Sequence, residues 1–272
     1  MSSVYWKNRL IVVTGGGRGQ GAAEVRRLLA EGAHVFCVDI IDATHPDWAL
    51  GEYASEPRLM TLTANVAEPE TWQMVKKQIA ESGCTLGGLV NNAGITLRKT
   101  VSVTSYEEWR RVLAVNLDAA FLAINALSSM MPPGSSIVNI SSTAGMTGYF
   151  AAAYTTSKWA LRGLSKAAAI ELSEREVRVN TICPGLVDTP MINKPNAGLG
   201  ANAATGFFEG NRSMTPLGRG AQPEEIAAAV LFLLGPDSSF VTGTELVVDG
   251  GMIGGGIYTR IGRDIGLLGS PM

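Results

Sequence analysis

Histidine is nearly missing from this chain. Its 272 residues contain two, His34 and His45, both near the N-terminus. A hydrolase built on a Ser–His or Cys–His pair would have to draw its base from those two positions. If the chain is an enzyme, its proton-transfer group is expected to be another residue type. Cysteine is sparse too: Cys37, Cys84 and Cys183 are odd in number and widely separated. They form no disulfide framework and no zinc ligand set, and read as buried free thiols, so no metal site is expected. Charged residues make up 17% of the chain, the formal net charge is −2, and no Lys/Arg run exceeds two residues. That balance argues against a nucleic-acid partner. Long apolar runs are lacking. Residues 227–234 form one of the longest, far short of the roughly 20 needed to span a bilayer. The start, "MSSVYWKN", has no apolar signal core. The expectation is no membrane and a cytoplasmic location.

What is present is an alternation of two periodicities. Short β-branched apolar runs at 10–14, 34–39, 58–66, 86–90, 136–140, 177–182 and 245–248 read as strands. Helical spacing appears at 19–31, 69–80, 154–172 and 223–234. A capping-box pattern, Ser105-x-x-Glu108, opens a further long helix toward Ser129. Apolar strands alternating with helices imply a parallel sheet covered on both faces. The fold class is therefore α/β: a doubly wound parallel sheet of about seven strands in one domain spanning 1–272. There is no repeat, linker or low-complexity tract.

"TGGGRGQG", residues 14–21, joins the first strand to the first helix. Glycines let the backbone approach a pyrophosphate, and the helix N-terminus favours an anion. The spacing is Gly15-x-x-x-Gly19-x-Gly21, not the G-x-G-x-x-G of the common dinucleotide fingerprint. Asp39 ends the second strand. A carboxylate there accepts from both ribose hydroxyls of NAD and repels the 2′-phosphate of NADP. Arg18 inside the glycine loop would instead favour that phosphate, so both cofactors remain open at this point.

Six motifs in order carry a resemblance: Thr14-Gly15-x-x-x-Gly19-x-Gly21, Asn91-Asn92-Ala93-Gly94, Asn116, Ser142, Tyr154-x-x-x-Lys158 and Pro184-Gly185. Over roughly residues 8–251 the chain resembles the short-chain dehydrogenases/reductases. The resemblance implies a Rossmann-like fold, NAD(P)-dependent oxidoreduction and a homotetramer. It implies cofactor contacts at Gly15, Gly17, Arg18, Gly19, Gln20 and Gly21 in the loop, and at Asp39 and Ile40 after the second strand. Further contacts are implied at Asn65, Val66, Asn92, Ala93, Gly94, Pro184, Gly185, Val187, Thr189 and Met191, and at Tyr154 and Lys158. It assigns catalysis to Asn116, Ser142, Tyr154 and Lys158. The stretch from Ser142 to Tyr154 is one residue shorter than the family pattern. Ser141 would restore the length, but strand alternation turns it to the other face.

The tyrosine–lysine pair has a chemical reading of its own. Residues i and i+4 share a helix face. Oxidising a secondary alcohol removes a proton from oxygen while hydride leaves carbon. A phenol with pKa near 10 is a poor base at neutral pH, and an ammonium beside it is expected to lower that value. Ser142 would hold the substrate oxygen. By the resemblance, Lys158 also bonds the nicotinamide ribose, and Asn116 holds a water in a proton relay. Candidate substrate-lining residues are Thr96, Ser142, Ala144, Met146, Tyr149, Leu186, Met191 and Phe207. They are largely apolar or aromatic and suit a hydrophobic, ring-bearing alcohol or ketone. Arg98 could receive an anionic or carbonyl group, although solvent exposure is the expected state. Residues 191–215, with Gly198, Gly200, Gly206 and Gly210, are expected to form a mobile lid. The extension 252–272 is expected to pack on it or to reach a neighbouring subunit. The leading expectation is an NAD-dependent secondary-alcohol dehydrogenase. The alternatives are an NADP-preferring ketone reductase and a non-catalytic NAD(H)-binding regulator.

Overall fold

A computed structural model describes residues 3–193 and 201–269. Seven parallel strands form one sheet in the order β3-β2-β1-β4-β5-β6-β7. They are β1 (Arg9–Thr14), β2 (His34–Asp39), β3 (Leu59–Thr63), β4 (Thr85–Asn91), β5 (Ser136–Ile140), β6 (Arg178–Pro184) and β7 (Glu245–Val248). The inner strands are buried along nearly their whole length, which is why they read as unbroken apolar runs. The helices are α1 (Ser3–Trp6), α2 (Gly19–Glu31), α3 (Pro69–Ser82), α4 (Tyr106–Leu113), α5 (Ala119–Leu127), α6 (Ala152–Ser173), α7 (Pro190–Asn193), α8 (Ala201–Met214), α9 (Pro223–Leu234) and α10 (Met252–Asp264).

Two cores flank the sheet. On one face Leu28 and Leu29 of α2 pack with Val230 and Leu234 of α9 and with Trp6. On the other, Trp72 and Val75 of α3 join Leu127 of α5 and Leu172 of α6. The strand order reverses between β1 and β4. The crevice at such a switch point, beyond the strand C-termini, is where this architecture binds ligands.

Several expectations change in detail. The third strand stops at Thr63, because Asn65 Oδ1 accepts from Ala67 N at 3.1 Å and turns the chain toward α3. The Ser105–Glu108 capping box is complete. Its helix is not uniform: Ala114–Asp118 is a π-helical turn between α4 and α5. Tyr106–Met130 has the length and apolarity of a membrane span, but Ala119, Ala123 and Leu127 belong to the core beside the sheet.

Helices α8 and α10 have no counterpart in the sequence reading. Their glycines read as loop, yet Gly256 is what allows the two helices to meet. A Cβ there would lie 2.6 Å from the Met214 carbonyl oxygen. Arg263 then donates to Ser213 O at 2.9 Å and to Pro216 O at 2.9 Å, tying α10 to the end of α8. Of the expected lid, residues 194–200, with Gly198 and Gly200, lie outside the described residues. The described remainder is largely helix.

Candidate active site

Thr14 and Asn92 join the two strands at the switch point. Thr14 Oγ1 accepts from Asn92 N and Ala93 N, each at 3.0 Å. Asn92 Nδ2 donates back to Thr14 O and Gly15 O, each at 3.0 Å. The "TG" and "NNAG" motifs are therefore one structural unit. Gly21 is forced by it: a Cβ there would lie 2.1 Å from Gly15 O. Gly19 has φ +53°, a conformation that favours glycine, and a Cβ there would face Thr189 and Pro190 at 3.8–3.9 Å across the α2 N-terminus, where an anion is favoured.

A cavity of about 500 Å³ opens here. Gly15, Arg18, Gly19, Gln20 and Gly21 line its floor, with Asn92, Ala93 and Gly94 beside them. Asp39, Ile40, Asn65 and Val66 line one end. Ser142, Tyr154 and Lys158 line the other, near Thr96, Pro184, Gly185, Val187, Thr189 and Met191. The Asp39 carboxylate accepts from Gly17 N at 2.8 Å and Ile41 N at 3.2 Å. Arg18 pairs with Asp47 at 3.2 Å, a partner that sequence reading missed. Gly17 is not in the cavity wall. Trp48 covers it, and a Cβ there would meet that ring at 2.6 Å, so Gly17 serves the turn and braces Asp39. Trp48 and Asp47 sit in a stretch without periodicity, which left no signal to find them. An elongated cleft with a carboxylate at one end, a helix N-terminus in the middle and a phenol at the other fits a dinucleotide.

At the reacting end, Ser142 and Ser141 face opposite ways, as alternation requires. Ser141 is buried and its Oγ donates to Lys158 O at 2.9 Å. Ser142 lines the cavity, and its Oγ accepts from Ala144 N at 3.1 Å. Burial raises the Tyr154 phenol above its ordinary value, and the Ser142 hydroxyl acts in the opposite direction. Lys158 Nζ donates to Ile140 O at 2.8 Å and stands 5.7 Å from the Tyr154 ring centroid. Burial brings this ammonium down to about 8. The expected depression of the phenol by Lys158 is thus not produced by the chain's own groups. Burial is the largest influence on the phenol, and Lys158 is not among the groups that act on it.

Asn116 lies beneath the cavity, in the π-helical turn. Its Oδ1 accepts from Ile95 N at 2.8 Å, and its Nδ2 donates to Ile95 O and Ser157 Oγ, each at 3.0 Å. Its side chain is consumed in bracing the segment after Gly94 against α6. A π-turn shifts backbone hydrogen bonding locally and is frequent at functional sites. Of the substrate-lining candidates, Thr96, Ser142 and Met191 reach the cavity. Tyr149 and Phe207 form an aromatic group beside it, each with Phe150 as a neighbour; Tyr149 is 6.3 Å from Tyr154 and 6.3 Å from Phe207 between centroids. Ala144 and Met146 follow Ser142 in a 3₁₀ turn and its cap, outside the cavity wall. Leu186 is corrected: it is 6% exposed and stands where a Cβ on Gly220 would touch it. Among the described residues no His, Cys, Asp and Glu cluster could hold a metal.

Known proteins agree with this architecture. A family profile described as enoyl-(acyl carrier protein) reductase matches residues 15–253. The 3-alpha-(or 20-beta)-hydroxysteroid dehydrogenase of Mycobacterium tuberculosis is 38% identical over 93% of this chain and 93% of its own. The trans-4-hydroxycyclohexanecarboxylate dehydrogenase of Sinomonas cyclohexanicum is 35% identical over 91% of this chain and 93% of its own. The ligand-free aldohexose dehydrogenase of Thermoplasma acidophilum superposes with a TM-score of 0.80 at 31% identity, covering 91% of this chain and 95% of that one. The chain belongs to the short-chain dehydrogenase/reductase family, as an oxidoreductase of alcohols and ketones that uses a nicotinamide cofactor.

Proposed function

We propose that this protein is an NAD-dependent dehydrogenase that interconverts a hydrophobic, ring-bearing secondary alcohol and its ketone. The observation that carries this reading is the half-buried Tyr154 at one end of a cleft, with Ser142 and Lys158 beside it and the Asp39 carboxylate at the far end. Tyr154 is the group that exchanges a proton with the substrate oxygen. Ser142 Oγ holds that oxygen and stabilises the charge that grows on it. Lys158 and Asn116 act from behind. Lys158 supplies positive charge and a donor toward the cofactor's ribose, and Asn116 fixes the backbone between Gly94 and α6. The nicotinamide, when bound, gives or takes the hydride.

The raised phenol bears on pH dependence, not on direction, which the ratios of cofactor and substrate set. At neutral pH Tyr154 is protonated and ready to donate to a ketone oxygen; as a base for alcohol oxidation it needs higher pH. Asp39 supports NAD over NADP, and the Arg18–Asp47 pair supports it further by engaging the one cation in the loop. Tyr149, Phe150 and Phe207 support a ring-bearing substrate, in keeping with the cyclic alcohols named in two relatives. The reading includes a 191–215 lid, a cytoplasmic location and a homotetramer. Exposed apolar residues such as Phe121, Trp159 and Phe240 support association. An alcohol and ketone screen with NAD(H) and NADP(H), followed by NADH absorbance, tests the core of it. Turnover of cyclic secondary alcohols with NAD is expected. Tight NADH binding without turnover of any alcohol or ketone would favour the regulator instead.

A further inference from the structure

Arg98 was expected at the surface and is 5% exposed. Its guanidinium carbon stands 4.3 Å from the Phe207 ring centroid. Nη2 donates to Met191 O at 3.2 Å. Nε and Nη1 are buried and have no hydrogen-bond partner. No carboxylate pairs with it among the described residues, and the segment 194–200, "KPNAGLG", contains no Asp or Glu. The guanidinium also hydrogen-bonds the Tyr149 hydroxyl, and its charge acts on the Tyr149 and Tyr154 phenols. The unanswered donors therefore sit among the aromatic residues beside Tyr154, just behind the cavity wall.

A buried guanidinium with two idle donors is unfavourable unless an anion or acceptor completes it. Its planar fork matches a carboxylate, which takes two parallel hydrogen bonds. Phe207 covers one face of the guanidinium; a carboxylate would pair Nε or Nη1 with the N–H of Nη2 that the bond to Met191 O leaves over. Met191 and Phe207 belong to α7 and α8, so an anion bound here would engage both helices at once.

We infer that Arg98 recognises a carboxylate carried by the substrate, away from the carbon that is oxidised. The substrate class is then a ring-bearing hydroxy acid or keto acid. This rests on the reading of Tyr154 as the reacting end of the cleft. A purely structural Arg98, holding α7 and Phe207 in place, would serve charged and neutral substrates alike.

The test compares 3- and 4-oxocyclohexanecarboxylate with their ethyl esters in wild type, Arg98→Met and Arg98→Lys, with folding checked by circular dichroism. Wild type is expected to prefer at least one acid over its ester by about tenfold or more in kcat/KM. Arg98→Met should lose roughly tenfold to a hundredfold on that acid, through KM, while the ester changes little. Arg98→Lys should recover part of the loss. Calorimetry with non-reacting cyclohexanecarboxylate separates this proposal from the proposed reaction. Binding to wild type and not to Arg98→Met supports the site even if no ketone is reduced, in which case the reaction assignment is what fails. Equal rates on acids and esters in wild type, equal losses on both in Arg98→Met, or no binding of the acid to wild type would overturn it.

Discussion

The two ends of the cleft are built by different means. The cofactor end is backbone held by backbone and short side chains: Thr14 and Asn92 bond main-chain groups across the switch point, and Asp39 bonds those of the glycine loop and its own turn. The substrate end is side chain against side chain: Tyr149, Phe150 and Phe207 at ring contact, with Arg98 over Phe207. The first arrangement has little freedom and serves one ligand type. The second can change with each side chain, and it draws on α7 and α8, which lie outside the sheet. The difference teaches where family likeness carries information and where it does not.

Substitutions can break that division or sharpen it. The largest combined effect is expected at Lys158, which in the proposed reading serves both the reacting tyrosine and the cofactor's ribose. Lys158→Ala should lower kcat by about a hundredfold or more and also weaken NADH binding, as read by steady-state kinetics and fluorescence titration. A loss confined to either reading would show that Lys158 serves one end only.

Asp39→Asn keeps an acceptor for Gly17 N but removes the charge. It should shift the ratio of kcat/KM for NAD over NADP toward NADP by about tenfold, roughly the 1.4 kcal/mol that corresponds to that factor. The preference among alcohols should not move. An unchanged cofactor ratio would mean that the carboxylate does not set cofactor choice.

Glu24 provides a pH test within the cofactor end. It is buried in α2 beside Gln20, and burial raises its carboxyl to about 8. The folded state therefore holds a proton that the unfolded chain releases near pH 4.5. The associated stability is fully present below pH 4.5 and is lost as pH rises toward 8. Glu24→Gln should match wild type near pH 4.5 in urea melts and exceed it by on the order of 2 kcal/mol near pH 8. A constant gap across that range would contradict the assignment.

The smallest effect is expected at α10. Arg263→Met removes the bonds to Ser213 O and Pro216 O, which should cost about 1–2 kcal/mol. Substrate KM should rise while NADH affinity stays unchanged. A change in NADH affinity instead would tie α10 to the wrong end of the cleft.

The same division explains what could be read from sequence. The sheet was legible because buried parallel strands are continuous apolar runs and each is closed by a turn residue. Asp39, the glycine loop and the Tyr154–Lys158 spacing were legible because their geometry is local: a strand end, a helix start, one helix face. Arg98 was not, because burial of a charged residue in a loop depends on Phe207 and Met191 from distant elements. Trp48 over Gly17 and Asp47 on Arg18 were hidden for the same reason. Helices α8 and α10 were misread because glycine signals flexibility in sequence, whereas Gly256 is there for close packing on Met214. The electrostatics of Tyr154 also escaped. The lysine was visible, but the burial that dominates the phenol was not.

The most direct test of the central claim is a comparison of Tyr154→Phe with wild type across pH. Alcohol oxidation, ketone reduction and NADH binding would be measured on the same preparations. Because burial raises the phenol, wild-type oxidation should climb into the alkaline range, while reduction holds through neutral pH and falls above it. Tyr154→Phe should lose roughly a hundredfold or more in both directions, with NADH affinity nearly unchanged. A variant that keeps more than about a tenth of wild-type kcat, or keeps the wild-type pH profile, would contradict the assignment of Tyr154 as the proton-transfer group.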